Sequence, residues 1–213
     1  MTQIAPLIDG YRTFRSQAFP ETRQLYRELV EHGQSPRVMI VSCCDSRVDP
    51  TTIFSAQPGD LFVVRNVANL VPPHELRGDN HSVSAALEFA VLGLNVAHIM
   101  VLGHAGCGGV KAFLEGLSRP NPDLPFVTKW TSLLEPASAR ISLDVEEQGV
   151  EGRQRAMEQA AIVGSLDNLR TFPYIDERVV QGTIALHGAY FDIATGDLSV
   201  YDAGRDRFVR VDQ

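Results

Sequence analysis

Two short runs of residues in this chain could bind a metal ion. The first, at 43–47, reads Cys-Cys-Asp-Ser-Arg, and the second, at 103–109, reads Gly-His-Ala-Gly-Cys-Gly-Gly. Cys43 and Cys107 offer two thiolates and His104 offers one imidazole, a set of ligands that suits zinc. A fourth position would remain for water or for Asp45. That composition is typical of a catalytic zinc site, since structural zinc sites are closed by four protein ligands.

The spacing of these residues favours a metal site over its competitors. A lone cysteine is more often a buried core residue, but the two-residue spacer between His104 and Cys107 lets both side chains reach one ion. The glycines of the second run match neither the dinucleotide-binding nor the Walker spacing. The chain has no C-x-x-C redox pair and no arginine six residues after a cysteine, as a cysteine phosphatase would need. Cys44 is interpreted as a bystander, because it must point away from a metal that Cys43 binds.

Asp45 and Arg47 follow the first candidate ligand closely. Alone, they could be a local ion pair that fixes a loop. Beside a metal, the guanidinium of Arg47 would hold Asp45 in one orientation and keep its carboxyl ionised. We therefore expect Asp45 either to accept a hydrogen bond from a nucleophile on the metal or to occupy the fourth metal position itself.

Both runs follow apolar segments that are typical of buried strands. The predicted strands are 37–43, 61–65, 97–103 and 179–187, with a terminal hairpin over 189–201. Strands that alternate with helices indicate an α/β fold with a mostly parallel central sheet flanked by helices. Ligands bind beyond the carboxyl ends of the strands in such sheets, so the two runs can converge there.

The helical spacing of apolar residues predicts the elements that flank the sheet. The predicted helices are an amphipathic N-terminal arm over 1–32, single helices over 80–94 and 109–117, and two or more helices over 126–171 with an interruption near 149–152. We expect residues 1–213 to form one domain, with the helical arm at its N-terminus and an antiparallel edge at the C-terminal end of the sheet.

Composition excludes several classes of function. With 44% hydrophobic and 21% charged residues, the chain is typical of a folded globular protein. Its formal net charge of −7 disfavours binding to nucleic acid or to anionic membranes, and no apolar stretch reaches the length of a membrane span. Residues 1–14 lack the features of a secretion signal, and the cysteines fit a reducing compartment. We expect a cytoplasmic protein with no nucleic-acid or membrane partner.

The combined motifs resemble those of the β-class carbonic anhydrases. The resemblance covers roughly residues 33–201 and rests on the two runs, on Gly-Gln-Ser-Pro at 33–36 and on the segments 62–69 and 187–196. It implies one zinc ion per subunit, bound by Cys43, His104 and Cys107, and a catalytic dyad of Asp45 and Arg47. It also implies a carbon dioxide pocket, in part contributed by a second subunit, that is lined by Gln34, Phe62, Val67, Phe89 and Gly108.

The function that the resemblance implies is the reversible hydration of carbon dioxide to bicarbonate and a proton, by a zinc-bound hydroxide that the dyad orients. It also implies a homodimer or higher oligomer, in which the N-terminal arm packs on a partner subunit. Phe89 stands where the plant-like branch usually has tyrosine. Residues 40–42, Ile-Val-Ser, stand where members with a non-catalytic bicarbonate site usually have Trp-Ile-Gly. We therefore expect no such regulatory site, although Arg65 is present, and an open zinc site near neutral pH.

Two alternatives remain open on the sequence. The same scaffold and ligands could hydrolyse carbonyl sulfide or carbon disulfide, with access to the pocket deciding the substrate. In the other alternative the protein is not an enzyme, and Asp45 closes a structural site as a fourth zinc ligand. Arg47 argues against the second alternative, because a structural ligand needs no guanidinium beside it.

Overall fold

A six-stranded sheet forms the centre of the computed structural model, which describes residues 3–76, 81–118, 122–141 and 149–211. The strands are β1 (Val38–Cys43), β2 (Leu61–Asn66), β3 (His98–His104), β4 (Ala185–Phe191), β5 (Leu198–Asp202) and β6 (Arg207–Arg210). Their order is β2-β1-β3-β4-β5-β6, with the first four parallel and the last two antiparallel. The prediction of a mostly parallel sheet with an antiparallel C-terminal edge is confirmed.

Helices flank this sheet and extend the chain at its N-terminal side. They are α1 (Ala5–Thr13), α2 (Phe19–His32), α3 (Pro50–Ile53), α4 (His81–Glu88), α5 (Gly108–Ser118), α6 (Pro125–Thr131), α7 (Glu135–Ser138), α8 (Gly149–Leu169) and α9 (Pro173–Val180). Segments of π-helix, Phe14–Ala18 and Phe89–Gly93, follow α1 and α4, and 3₁₀ turns lie at Val67–Asn69 and Ser132–Leu134. None of the described helices is long and apolar enough to cross a membrane.

The N-terminal helices contribute nothing to the core of the chain. Neither α1, nor the π-helical segment after it, nor α2 contains a buried residue. Leu7 and Tyr11 are 75% and 61% exposed, although both are large and apolar. This arm therefore carries apolar surface that the described part of the chain leaves uncovered.

Two glycines allow α8 to pack closely on the sheet. A Cβ at Gly103 of β3 would lie 2.7 Å from the side chain of Ile162, and one at Gly188 of β4 would lie 2.8 Å from it. Any larger residue would push the helix away, because Cβ atoms do not approach other atoms so closely. Ile162 is fully buried in the main hydrophobic cluster. The close packing fixes α8 over β3 and β4, next to the point where the second run begins.

The predicted fourth strand, 179–187, is wrong over its first half. Val179 lies in α9, and the helix ends just before Gly182, whose φ of +72° is in the left-handed region. The strand β4 begins only at Ala185. The consecutive valines favour a strand locally, but a glycine with positive φ commonly ends a helix, as Gly182 does here.

Two other details of the organisation differ from the predictions. The helix α8 begins at Gly149 and continues through residue 152, so the predicted interruption at 149–152 is wrong, and residues 142–148 lie outside the described residues. No strand was predicted where β6 lies. The helices predicted over 80–94 and 109–117 are confirmed, although Asn80 is outside the described residues. The assignment of 1–213 to a single domain stays a prediction.

Candidate metal centre

Neighbouring parallel strands bring the two runs together. In β1 and β3, Ser42 pairs with Leu102, so the ends of the two strands lie side by side. Cys43 is the last residue of β1 and His104 is the last residue of β3. Gly106, with a φ of +67°, then turns the chain so that Cys107 returns to the same place at the start of α5. The convergence expected from the strand ends is therefore present.

Cys43, His104 and Cys107 form a compact group of possible metal ligands. One ligand atom from each lies within 4.8 Å of the other two, and the two sulfurs are 3.9 Å apart. All three residues are buried, with at most 4% of their surface exposed. Ligand atoms about 2.0–2.3 Å from a tetrahedral zinc ion lie roughly 3.5–3.8 Å from one another, so these separations fit one ion.

The hydrogen bonds of His104 leave one nitrogen available for a metal. Its Nδ1 lies 2.9 Å from the carbonyl oxygen of Ala105, which assigns the ring proton to Nδ1. Its Nε2 is buried and has no hydrogen-bond partner among the described residues. A buried nitrogen without a partner is costly, and a metal ion between His104 and the two sulfurs would satisfy it. The donor set and this orphaned nitrogen both fit zinc.

The sulfur of Cys43 readily loses its proton, whereas the neighbouring sulfur of Cys107 keeps one. A hydrogen bond from the Cys107 thiol lowers the pKa of Cys43 to about 4, although burial opposes this. The same contact, together with burial, raises the pKa of Cys107. The pair therefore shares one proton, and a divalent cation bound between the sulfurs would displace it and bind two thiolates.

Asp45 and Arg47 form a tight pair beside the ligand group. Oδ1 of Asp45 accepts hydrogen bonds from the backbone N–H and Nε of Arg47 at 3.0 Å and 2.9 Å, and Oδ2 accepts one from Arg47 at 2.7 Å. These hydrogen bonds hold the pKa of Asp45 well below its usual range. Oδ2 lies 4.0 Å from Nε2 of His104, but Asp45 is not part of the group within 4.8 Å. Its role as catalytic residue or fourth ligand stays a prediction.

Arg65 of β2 holds the loop that carries this pair. Its guanidinium donates to the carbonyl oxygens of Cys43, Asp45 and Val48 at 3.0 Å, 2.7 Å and 2.8 Å. It also lies 3.4 Å from the carboxylate of Asp49. All three carbonyls belong to one short segment, so this single side chain fixes the path of the loop between β1 and α3.

Comparisons with known proteins agree with the geometry of the site. Residues 38–198 match the model of the family described as carbonic anhydrase. The chain is 34% identical to beta carbonic anhydrase 3 of Arabidopsis thaliana, over 91% of this chain and 74% of that protein. It is 38% identical to a carbonic anhydrase of Synechocystis, over 95% of this chain and 73% of that protein. The chain belongs to the β-carbonic anhydrase family.

Solved β-carbonic anhydrases have the same fold. The structure of the β-carbonic anhydrase CcaA superposes with a TM-score of 0.88 at 35% identity, over 98% of this chain and 92% of that one. A chain from the structures of two tetrameric β-carbonic anhydrases of the ascomycete Sordaria macrospora also superposes on this one. Its TM-score is 0.79 at 26% identity, over 91% of this chain and 94% of that one. Zinc is the cofactor of the β-carbonic anhydrases, so the predicted cofactor is confirmed, with Cys43, His104 and Cys107 as the candidate site.

One chain brings only part of the expected β-carbonic anhydrase pocket to the metal centre. Val67 packs against the cluster that contains Cys43 and Cys107, and Gly108 directly follows Cys107. The rings of Phe62 and Phe89 pack on each other elsewhere, with centroids 5.8 Å apart.

Phe62 and Phe89 lie away from the metal centre of their own chain. Phe62 pairs with Met39, four residues before the end of β1, which places it about 13 Å from that end. Phe89 is 53% exposed, and Gln34 is exposed in the loop before β1. These three residues do not meet the metal centre within one chain.

Two residues near the metal centre were missed in the sequence analysis. The indole of Trp130 donates to the carbonyl oxygen of Val67 at 2.7 Å and so links α6 to the turn after β2. Glu158 of α8 accepts the backbone N–H of Cys107 at 2.8 Å. Trp130 gives no sequence signal for this contact. Glu158 does, because it lies on the same helical face as Ile162, Ser165 and Leu169, where an acidic residue is unexpected.

Proposed function

We propose that this chain hydrates carbon dioxide reversibly to bicarbonate and a proton, with Asp45 and Arg47 as its catalytic dyad. The observation that carries the proposal is the position of Asp45, whose carboxylate lies 4.0 Å from Nε2 of His104 while Arg47 holds both of its oxygens. An oriented carboxylate immediately beside three metal ligands can direct a nucleophile. A purely structural metal site has no use for it.

Each part of the site has a separate task in the reaction. When bound, zinc lowers the pKa of a coordinated water from about 15.7 toward about 7 and so supplies a nucleophile at neutral pH. Cys43 and Cys107 balance the charge of the metal, and His104 binds through Nε2. Asp45 would accept a hydrogen bond from that nucleophile and so would aim a lone pair of the nucleophile at the substrate. Because its pKa is held well below the usual range, Asp45 orients the nucleophile and does not store the proton.

The apolar wall beside the metal suits a small substrate without charge. A Cβ at Gly109 would lie 2.6 Å from a methyl group of Val67, so the turn after β2 lies directly against the start of α5. Trp130 donates to the carbonyl oxygen of Val67, so this polar group already has a hydrogen-bond partner. Carbon dioxide has no polar group that needs a specific partner, and an apolar surface of this kind limits competing water.

We further propose that a second copy of the chain completes the pocket with Gln34, Phe62 and Phe89. Phe89 and Leu92 are 53% and 47% exposed on the π-helical segment after α4, where they form an apolar surface next to Phe62. The Sordaria relatives are tetrameric. The uncovered N-terminal arm supports the same proposal, because it offers apolar surface for a partner subunit.

Phe89→Glu is expected to weaken assembly and activity together. Burying a phenylalanine contributes about 1.5–3 kcal/mol, so its loss and the added charge should weaken association at least about tenfold. Size-exclusion chromatography with light scattering measures the mass of the assembly, and stopped-flow measurement of carbon dioxide hydration gives kcat and KM. Phe126→Glu is the matched control, because Phe126 is 87% exposed on α6. A monomeric Phe89→Glu variant with full activity would contradict the shared pocket.

We also propose that this chain lacks the non-catalytic bicarbonate site of some relatives. Ile40 and Ser42, which replace the tryptophan and glycine of that site, are at most 1% exposed and face the interior. Arg65 already binds the carbonyl oxygens of the loop between β1 and α3. Arg65 is bound to the loop and Arg47 binds both oxygens of Asp45. These contacts favour the open form of the site, in which Asp45 does not bind the metal.

The two cysteine ligands also support a reducing compartment such as the cytoplasm.

Stopped-flow carbon dioxide hydration across pH 6–9, beside zinc quantitation, tests the proposed function. We expect activity that depends on zinc and rises with pH through neutrality, because zinc at this site would bring the pKa of a coordinated water to about 7. A flat pH profile would contradict this mechanism. Parallel assays with carbonyl sulfide and carbon disulfide cover the alternative substrates, and a faster reaction with either one would overturn the assignment of carbon dioxide.

A further inference from the structure

A buried carboxylate from α8 reaches the backbone of a zinc ligand. Oε1 of Glu158 accepts hydrogen bonds from the N–H of Cys107 at 2.8 Å and from Nε2 of Gln154 at 2.9 Å. Oε2 accepts a hydrogen bond from the hydroxyl of Tyr190 at 2.8 Å. Glu158 is only 3% exposed, so these donors replace the water that would otherwise solvate it.

The burial of Glu158 calls for an explanation other than packing. A carboxylate costs several kcal/mol to bury, and an apolar residue of similar size would fill the same space without that penalty. Its neighbours on the buried face of α8, Met157, Ala161 and Ile162, are apolar. Burial and the adjacent carboxylate raise the pKa of Tyr190, so its hydroxyl remains a donor. Both carboxylate oxygens of Glu158 therefore accept hydrogen bonds, and the donors converge on this one side chain.

The backbone of Cys107 is bound on both sides by these contacts. Its N–H donates to Glu158. Its carbonyl oxygen accepts the N–H of Lys111 at 3.0 Å in the first turn of α5, and Nε2 of Gln154 at 3.5 Å. Cys107 follows a turn at Gly106, whose φ is +67°, and these bonds fix the backbone that carries its sulfur beside Cys43 and His104.

We infer that Glu158 is a positioning residue for the metal centre, which holds the sulfur of Cys107 in place through the backbone and favours zinc with its negative charge. Side chains that orient metal ligands from the second layer change metal affinity by about 10–100-fold when they are replaced. Glu158 acts in this way from a helix that supplies no ligand. The inference rests on the proposed metal centre, since it requires Cys107 to bind zinc.

Glu158→Gln tests the inference, because it keeps the size of the side chain and replaces a charged acceptor with a weaker neutral one. We expect zinc affinity, measured by competition with a chelator, to fall about 10–100-fold. In the cobalt(II)-substituted protein, the thiolate-to-cobalt charge-transfer band should shift, since the sulfur of Cys107 moves relative to the metal. If Glu158→Gln is insoluble, Glu158→Asp supports the same two measurements, because its shorter side chain withdraws from Cys107.

Tyr190→Phe is the matched control. It removes a hydrogen bond to the same buried carboxylate but leaves the bond to Cys107, so zinc affinity and the cobalt spectrum should equal those of the unaltered protein. Unchanged affinity and spectrum in Glu158→Gln would overturn the inference, and so would an equal loss in Tyr190→Phe. Cys107→Ser distinguishes a failure of the metal centre from a failure of the role proposed for Glu158. If it keeps zinc, the metal centre itself fails, whereas zinc loss there beside normal affinity in Glu158→Gln refutes only the role of Glu158.

Discussion

Replacing Cys107 with serine is expected to remove zinc and to abolish carbon dioxide hydration. The change leaves only Cys43 and His104 as ligands, and a serine hydroxyl does not substitute for a thiolate in zinc sites. Cys107 is 1% exposed, so no side chain from the surface can take its place. Elemental analysis of the purified variant should show zinc falling from full occupancy to background, with activity in stopped-flow assays falling in parallel.

Cys44→Ser provides the control for this prediction. Cys44 directly follows Cys43, yet it is exposed and lies outside the ligand group. Partial burial raises the pKa of its thiol, which therefore stays protonated at neutral pH. The variant is expected to keep both zinc and activity. Full zinc occupancy in Cys107→Ser would refute the ligand assignment, and zinc loss in Cys44→Ser would show that the wrong member of the adjacent pair had been chosen.

The ligand set could be predicted from the sequence because its signals are local. Cys43 ends one apolar run that predicts a buried strand and His104 directly follows another, and parallel strands bring their carboxyl ends to one edge of a sheet. The short spacer to Cys107 then requires only one turn of the chain. These local signals were enough to place the three residues together. In the structure, one ligand atom of each lies within 4.8 Å of the other two.

The carbon dioxide pocket could not be located in the same way. The resemblance supplies the identities of Gln34, Phe62 and Phe89, but the position of a partner subunit is not encoded in any local pattern. Within one chain, Phe62 lies about four residues along its strand from the metal centre. The exposure of Phe89, which can be seen only in the folded chain, supports the proposal that another copy covers this surface.

Two residues near the metal centre could not be predicted, because their contacts join distant parts of the sequence. Glu158 reaches Cys107 across 51 residues of sequence, and Trp130 reaches Val67 across 63. A single sequence does not reveal such pairs, although an acidic residue in the apolar stripe of α8 was a visible anomaly. The misassigned strand at 179–187 has a different cause. Val179 favours a strand locally, but it lies in a helix that ends just before Gly182.

Asp45→Asn is expected to keep zinc and to lose most of the activity. Asparagine has nearly the same shape, but its amide replaces one acceptor with a donor and removes the charge that pairs with Arg47. The side chain could then no longer accept a hydrogen bond in the fixed orientation that Arg47 now imposes through both oxygens. A misplacement of reacting groups by about 1 Å can lower a rate about 10²-fold, and we expect kcat to fall by at least about that factor.

Asp49→Asn is the control, since it removes the same charge from the same loop. The carboxylate of Asp49 accepts the N–H of Thr52 at the start of α3, and asparagine is an equally good residue at that position. Its effect on kcat should therefore be much smaller. If Asp45→Asn loses zinc as well as activity, Asp45 is a fourth ligand and the site is structural or closed. If it keeps zinc and full activity, the dyad has no catalytic role. Retained zinc with a large loss of kcat is the result that only an open site, with Asp45 directing the nucleophile, predicts.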